Sequence, residues 1–207
     1  TDILDNFGNS VIQTDFESYF LNNGALSNNA STKTKNYVVN YDFEAWLNPF
    51  SLDSWSIESV DGTGNIYSQV LQEKSETRGS SSETAVRYYV TKQSKGFLKT
   101  SLPIVADSEG RYFFGVWIKA ENIGDKISIG IKNNTNFLTD IYTATNLNWN
   151  YVVKYFDASI ADQITPVMIP ETENVTFYID DSFLGQGLAG ANIEWNTTNG
   201  IVKTYTD

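Results

Sequence analysis

The feature that most constrains this chain is a series of short segments that alternate apolar and polar residues, with a turn signal between one segment and the next. Successive side chains of a strand point to opposite faces, so alternation over about 4–8 residues marks a strand with one buried side. The spacing predicts strands over 37–46, 55–60, 66–72, 85–91, 97–101, 111–120, 126–132, 149–156, 164–169 and 174–184. Breakers separate them: Asn48-Pro49, Asp61-Gly62, the Arg78-Gly79-Ser80 stretch, Glu109-Gly110 and Ile123-Gly124-Asp125. This many short strands, with no long helical pattern, predict an all-β fold: a jelly-roll antiparallel β-sandwich. The first and last runs both gather carboxylates where strand gives way to loop, at Asp42 and Glu44 and at Asp180 and Asp181. They are expected to be neighbours that close one unit over 37–186.

Both flanks differ from that unit. Residues 1–36 are rich in Asn, Ser and Thr, and form an N-terminal arm. A short helix is predicted over 14–23, because Thr14 and Glu17 make a capping box, Phe16 and Phe20 lie one turn apart, and Gly24 can end it. The arm reads either as a flexible leader or as a segment that orders against a partner through Ile12, Phe16, Tyr19, Phe20 and Leu21. Residues 187–207 carry two alternating runs around Asn199-Gly200, which predicts a C-terminal β-hairpin extension. A lone hairpin is marginal in water, so this one is expected to pack on the sandwich, the arm or another chain.

Composition removes several function classes. The formal charge of −11 disfavours phosphate backbones and anionic membrane surfaces, so nucleic acid is not an expected partner. Histidine and cysteine are both absent. That excludes Ser/His/Asp and Cys/His catalysis, His-ligated zinc and any disulfide. No apolar run approaches the about 18 residues of a membrane-spanning helix, and no basic-then-apolar leader opens the sequence, so membrane insertion is not expected. An aromatic content of 14% is high, and aromatic rings favour strands.

Phe43-Glu44 closing the first strand, Trp55, the run Arg111 to Ala120, Trp149 to Val153, and Tyr178-Ile-Asp-Asp181 occur in an order that resembles the β-sandwich carbohydrate-binding modules of families four, nine and twenty-two. The resemblance spans about residues 37–186 and neither flank. It implies a structural calcium between the first and last strands, held by Glu44 and by Asp180 or Asp181, with Asp42 nearby; loop carbonyls would complete the six to eight oxygens calcium needs. The competing reading makes these acids solvated charges at strand ends. The resemblance also implies a sugar site built from aromatic rings and polar side chains on one face or cleft. With Tyr112, Phe114, Val116 and Ile118 inward, Trp117 points outward. With Val86, Tyr88 and Val90 inward, Arg87 and Tyr89 point outward. Trp117, Tyr89 and Arg87 are the resulting carbohydrate-binding candidates, and Trp46 is a candidate for a site at the loop end. Trp55 and Trp149 match core positions, and each ring also has the plain reading of core packing.

An enzyme of the glycosidase kind needs two carboxylates held about 5–10 Å apart. The Glu-x-Asp-x-x-Glu spacing of jelly-roll glycosidases is absent, and strand alternation sends Asp180 and Asp181 to opposite faces. The sequence therefore reads as a non-catalytic, surface-displayed structural protein with a carbohydrate-binding head. Its expected partners are a polysaccharide or glycan and, through residues 1–36 and 187–207, its own subunits or a capsid or surface scaffold. A phage virion decoration or fibre protein, on the virion surface or extracellular, fits this reading. The alternative is a free-standing or enzyme-associated carbohydrate-binding module, with a glycoside hydrolase the least supported.

Overall fold

The computed structural model describes residues 3–4, 10–11, 36–59, 68–78, 82–91, 96–186, 191–196 and 201–206. The helix expected over 14–23 lies outside the described residues. Among those that are described, every regular element is a strand.

Strands β1 (Ile3–Leu4) and β2 (Ser10–Val11) pair with each other, as do β3 (Trp46–Asn48) and β4 (Ser51–Leu52). The sandwich itself consists of β5 (Trp55–Ser59), β6 (Ser68–Glu73), β7 (Ala85–Val90), β8 (Gly96–Thr100), β9 (Ile104–Val105), β10 (Gly110–Ala120), β11 (Lys126–Asn133), β12 (Asn136–Thr143), β13 (Asn150–Ala158), β14 (Gln163–Pro170) and β15 (Val175–Gln186). A last pair, β16 (Ala191–Asn196) and β17 (Ile201–Thr206), is antiparallel with Asn196 opposite Ile201, the hairpin expected near the C-terminus.

One sheet has five strands in the order β13-β10-β15-β7-β6. The other runs β12-β11-β14-β8-β5, with β9 added beside β14. All the pairings are antiparallel. The core lies between the sheets. From β10 come Tyr112, Phe114, Val116, Ile118 and Ala120; from the facing sheet come Ile127, Ile129, Ile131, Ile164, Met168 and Leu98. Full burial of one such aliphatic or aromatic side chain stabilises by roughly 1.5–3 kcal/mol, so this alternation fixes the register of each central strand.

Two expectations are corrected. Residues 37–46 are not a strand. The segment does lie beside β15, held by Tyr37 N–H to Leu184 O (2.9 Å), Ser182 N–H to Tyr41 O (2.7 Å) and the Asn36 side chain, which bonds Ser182 O and Leu184 N–H. It then coils: Asn40 and Phe43 take left-handed φ values of 52° and 55°. The Asn40 side chain bridges Ala45 N–H, Ala45 O and Asp53 O, replacing ladder bonds with turn bonds. The turn drops the fully buried Phe43 ring against Trp55, 5.1 Å between centroids. The second correction is β12, which alternation does not predict. It is an edge strand, joined to β11 by a two-residue turn at Asn134 and Thr135, and neither of its faces is continuously buried.

Candidate functional site

The outward face of the five-stranded sheet carries the chemistry. Antiparallel partners share a face, so the register reads out the rows. Tyr155 stands opposite Phe113, Val153 opposite Gly115 and Tyr151 opposite Trp117; on the other side of β10, Phe183 partners Gly115, Asp180 partners Trp117 and Tyr178 partners Lys119. Tyr178 in turn partners Arg87, and Thr176 partners Tyr89. None of these side chains belongs to the core cluster between the sheets.

These residues form a nearly continuous aromatic layer, in which Phe113 and Trp117 are buried. Phe113 and Phe183 are parallel within 4°, with ring centroids 5.4 Å apart, and Tyr155 leans on Phe113 at 6.1 Å. The Arg111 guanidinium sits over the Tyr155 ring at 5.1 Å. One row along, Trp117 and Tyr151 are 5.3 Å apart, and the Arg78 guanidinium covers Trp117 at 4.8 Å. Lys119 is paired with Glu76 at 2.5 Å, and Arg87 with Glu121 at 3.7 Å. Tyr178 donates its hydroxyl to Glu121 (3.0 Å); burial first, and that carboxylate second, push its phenol up to about 12.

A β-bulge at the Val116/Trp117 step of the β10–β15 pairing governs the acidic end of this face. Val116 partners Ser182 while Trp117 partners Asp180, leaving Asp181 as the extra residue with a left-handed φ of 39°. The bulge overturns the expectation that the two aspartates face opposite sides, because Arg78 reaches both. Its backbone N–H donates to Asp180 Oδ2 (3.0 Å), and its guanidinium forms an ion pair with Asp181. Asp180 is fully buried and also accepts from Ser82 Oγ (2.9 Å) and Asp181 N–H (2.9 Å). Burial, reinforced by the Asp181 charge, pushes its carboxyl up to about 6. Burial raises Asp181 as well, against the pull of Arg78.

The expected site residues fall into separate places. Trp117 lies on the outward face, but it is only 4% exposed, roofed by Arg78 and flanked by Tyr151; it is a buried floor and not an open stacking platform. Arg87 and Tyr89 share that face two strands away, on β7. Trp46 is elsewhere: its indole N–H donates to Phe43 O (2.7 Å) and its ring packs against the core cluster. Of the expected metal residues, Glu44 and Asp180 meet at one hydroxyl, since Ser82 Oγ lies 3.2 Å from Glu44 Oε1 and 2.9 Å from Asp180 Oδ2, with its one proton available to either. Glu44 also accepts the N–H groups of Glu83 and Thr84 and the Thr84 hydroxyl, while Asp181 is turned toward Arg78. Among the described residues, no group of three or more acids stands close enough to hold a metal. The all-oxygen donor set around Ser82 has calcium's chemistry, but two carboxylates alone fall short of its coordination number.

Alternation does not single out Tyr151, Tyr155, Phe183 or Arg78. The first three were legible in principle as the outward positions of their strands, whereas Arg78 sits in a turn-rich stretch whose path over the sheet has no sequence signature.

No family model matches the chain, and no curated protein matches it. Solved structures do. A family 61 carbohydrate-binding module in complex with β-1,4-galactotriose aligns over 74% of this chain and 100% of its own, with 18% identity and a TM-score of 0.54. A family 4 module aligns over 72% of this chain and 99% of its own, with 17% identity and a TM-score of 0.51. The enzymatically active domain of tailspike protein 4 of bacteriophage CBA120 aligns over 73% of this chain but 21% of its own, with 17% identity and a TM-score of 0.51. The fold is thus the β-sandwich of carbohydrate-binding modules.

Proposed function

We propose that the protein is a non-catalytic glycan-binding protein, and that its ligand lies along the outward face of the five-stranded sheet. The observation that carries this reading is the half-buried rings of Tyr151, Tyr155 and Phe183 on the side opposite the core, backed by the buried Phe113 and Trp117 and bordered by Arg111 and by ion-paired Lys119 and Arg87. Aromatic rings offer apolar faces to the C–H surface of a sugar, and polar groups at their margin can read its hydroxyls. Binding without chemistry agrees with the absence of histidine and cysteine and with carboxylates engaged in structural bonds. The β-1,4-galactotriose bound by the similar family 61 module belongs to that protein; it supplies the first probe to try.

The test is calorimetric titration of the full chain with neutral oligosaccharides, including β-1,4-galactotriose, beside the Tyr155→Ala variant. The reading expects saturable binding that Tyr155→Ala weakens about tenfold or more, with no release of reducing ends. Binding that is indifferent to Tyr155 removes the outward face as the site.

A calcium ion held by Glu44 and Asp180 is part of the proposal, with loop carbonyls completing its shell; bound there, it would tie the segment after residue 36 to β15. A second reading adds display on a virion surface, with residues 1–36 and 187–207 gripping further subunits or a scaffold. The occurrence of this fold within a phage tailspike favours it. Light scattering tests it: the full chain is expected to assemble, and a monomer at every concentration would remove self-association through these segments.

A further inference from the structure

We infer that Asp181 and Arg78 form the hydroxyl-reading pair of one subsite on this face, and that the pair selects neutral sugars over acidic ones. The inference rests on the glycan-binding reading above and deepens it.

The backbone is the first support. Asp181 is the extra residue of the β15 bulge, and its φ of 39° is one that a non-glycine residue in a strand adopts only under constraint. The bulge turns its carboxylate to the side where Trp117 and Tyr151 lie, and bulges commonly serve to re-aim a side chain at a site.

The hydrogen bonds are the second. Arg78 Nε donates to Asp181 Oδ2 (2.6 Å), and its terminal Nη2 converges on that same oxygen. An arginine fork usually engages both oxygens of a carboxylate. Among the described residues nothing donates to Oδ1, on a side chain 26% exposed. The Trp117 indole N–H beneath the same arginine is enclosed and has no acceptor among the described residues. A buried donor without a partner is uncommon and calls for a ligand or a water nearby.

Charge supplies the selectivity. The cations around this end of the face are committed: Arg78 to Asp181, Lys119 to Glu76 and Arg87 to Glu121. The open group is therefore a carboxylate oxygen, beside the buried Asp180, in a chain of net charge −11. Such an oxygen accepts hydrogen bonds from sugar hydroxyls and repels a uronate.

The experiment titrates the full chain with β-1,4-galactotriose, with cellotriose, which differs from it in configuration at C4, and with trigalacturonate. The better neutral triose is expected to bind at least about tenfold more tightly than trigalacturonate. Asp181→Asn should weaken that neutral ligand about tenfold, as loss of a hydrogen bond to a charged acceptor does, and narrow the neutral-to-acidic ratio. Tyr155→Ala should weaken all three and leave their ratio unchanged. If Tyr155→Ala weakens binding while Asp181→Asn changes neither affinity nor ratio, the pair is overturned and the face stands. If neither variant matters, both fall. Failure of the neutral trioses to bind better than trigalacturonate also overturns the inference. Should Asp181→Asn not fold, Arg78→Lys keeps the charge, breaks the fork and is read on the same ratio.

Discussion

The hydroxyl of Tyr151 occupies the space that a side chain on Gly115 would need. Gly115 lies in the middle of β10, between Val153 and Phe183, and the Tyr151 ring reaches across it from the neighbouring strand. The absence of a Cβ there is what lets the phenol lie down on the sheet beside Trp117. Burial, with the nearby Tyr155 and Asp181, holds the pKa of that phenol above its ordinary value.

Gly115→Ala is therefore expected to displace the Tyr151 ring and not the strand, because the clash is with the far end of a side chain. Inserting a methyl into a packed site costs about 1–3 kcal/mol. Thermal unfolding should show that loss, and tryptophan fluorescence should shift as the Trp117 contact changes. A variant with unchanged melting and emission would show that Tyr151 does not rest on Gly115.

Trp117→Ala is expected to cost about 3–5 kcal/mol, the range for truncating a buried aromatic ring. An outward, open platform would have cost little. Denaturant unfolding distinguishes the two, and a loss below about 1 kcal/mol would mean that Arg78 and Tyr151 do not cover the ring.

Trp117 also shows how far the sequence could be read. Its side of the sheet follows from parity with Tyr112, Phe114, Val116 and Ile118, and the structure places it there. Its burial does not follow from parity. The cover comes from Arg78, brought back over the sheet by the segment after β6, and from a tyrosine that can lie flat only because its neighbour is glycine. The same limit explains Asp180 and Asp181. Period-two reasoning separates them, and a bulge, which periodicity cannot encode, reunites them. Alternation also misleads over 37–46, where Asn36 and Asn40 side chains take over the bonds of a ladder. It passes over β12, because an edge strand needs no continuous buried row. Central strands such as β10 were legible because the core depends on their alternation.

Asp180 predicts a pH dependence in metal-free protein. Its carboxyl is raised from 3.8 to about 6 in the folded state, so the native protein binds this proton more tightly than the unfolded chain does. The stabilising contribution is complete below about 3.8 and is lost as pH rises through about 6, a change of order 3 kcal/mol at most. Asp180→Asn keeps an acceptor and removes the titration. In chelator, the stability of Asp180→Asn relative to wild type should rise between pH 4 and pH 7, measured by denaturant unfolding at each pH. A constant difference would show that Asp180 does not titrate in this window.

The same carboxyl gives calcium its sharpest test. A cation beside Asp180 would offset the cost of its buried charge, and it would bind the folded state alone, because Glu44 and Asp180 are far apart in sequence and meet only through Ser82 in the fold. Calcium at about 100 times its dissociation constant would then add about 2.7 kcal/mol. At neutral pH, saturating calcium should raise the melting temperature of the wild type, and chelator should reverse the gain. Glu44→Gln and Asp180→Asn should each remove most of the response. Asp181→Asn should keep it, since Asp181 is turned to Arg78. A wild-type melting temperature indifferent to saturating calcium would discard the site, and the raised Asp180 would then be a buried carboxyl held by Ser82 and two backbone N–H groups alone.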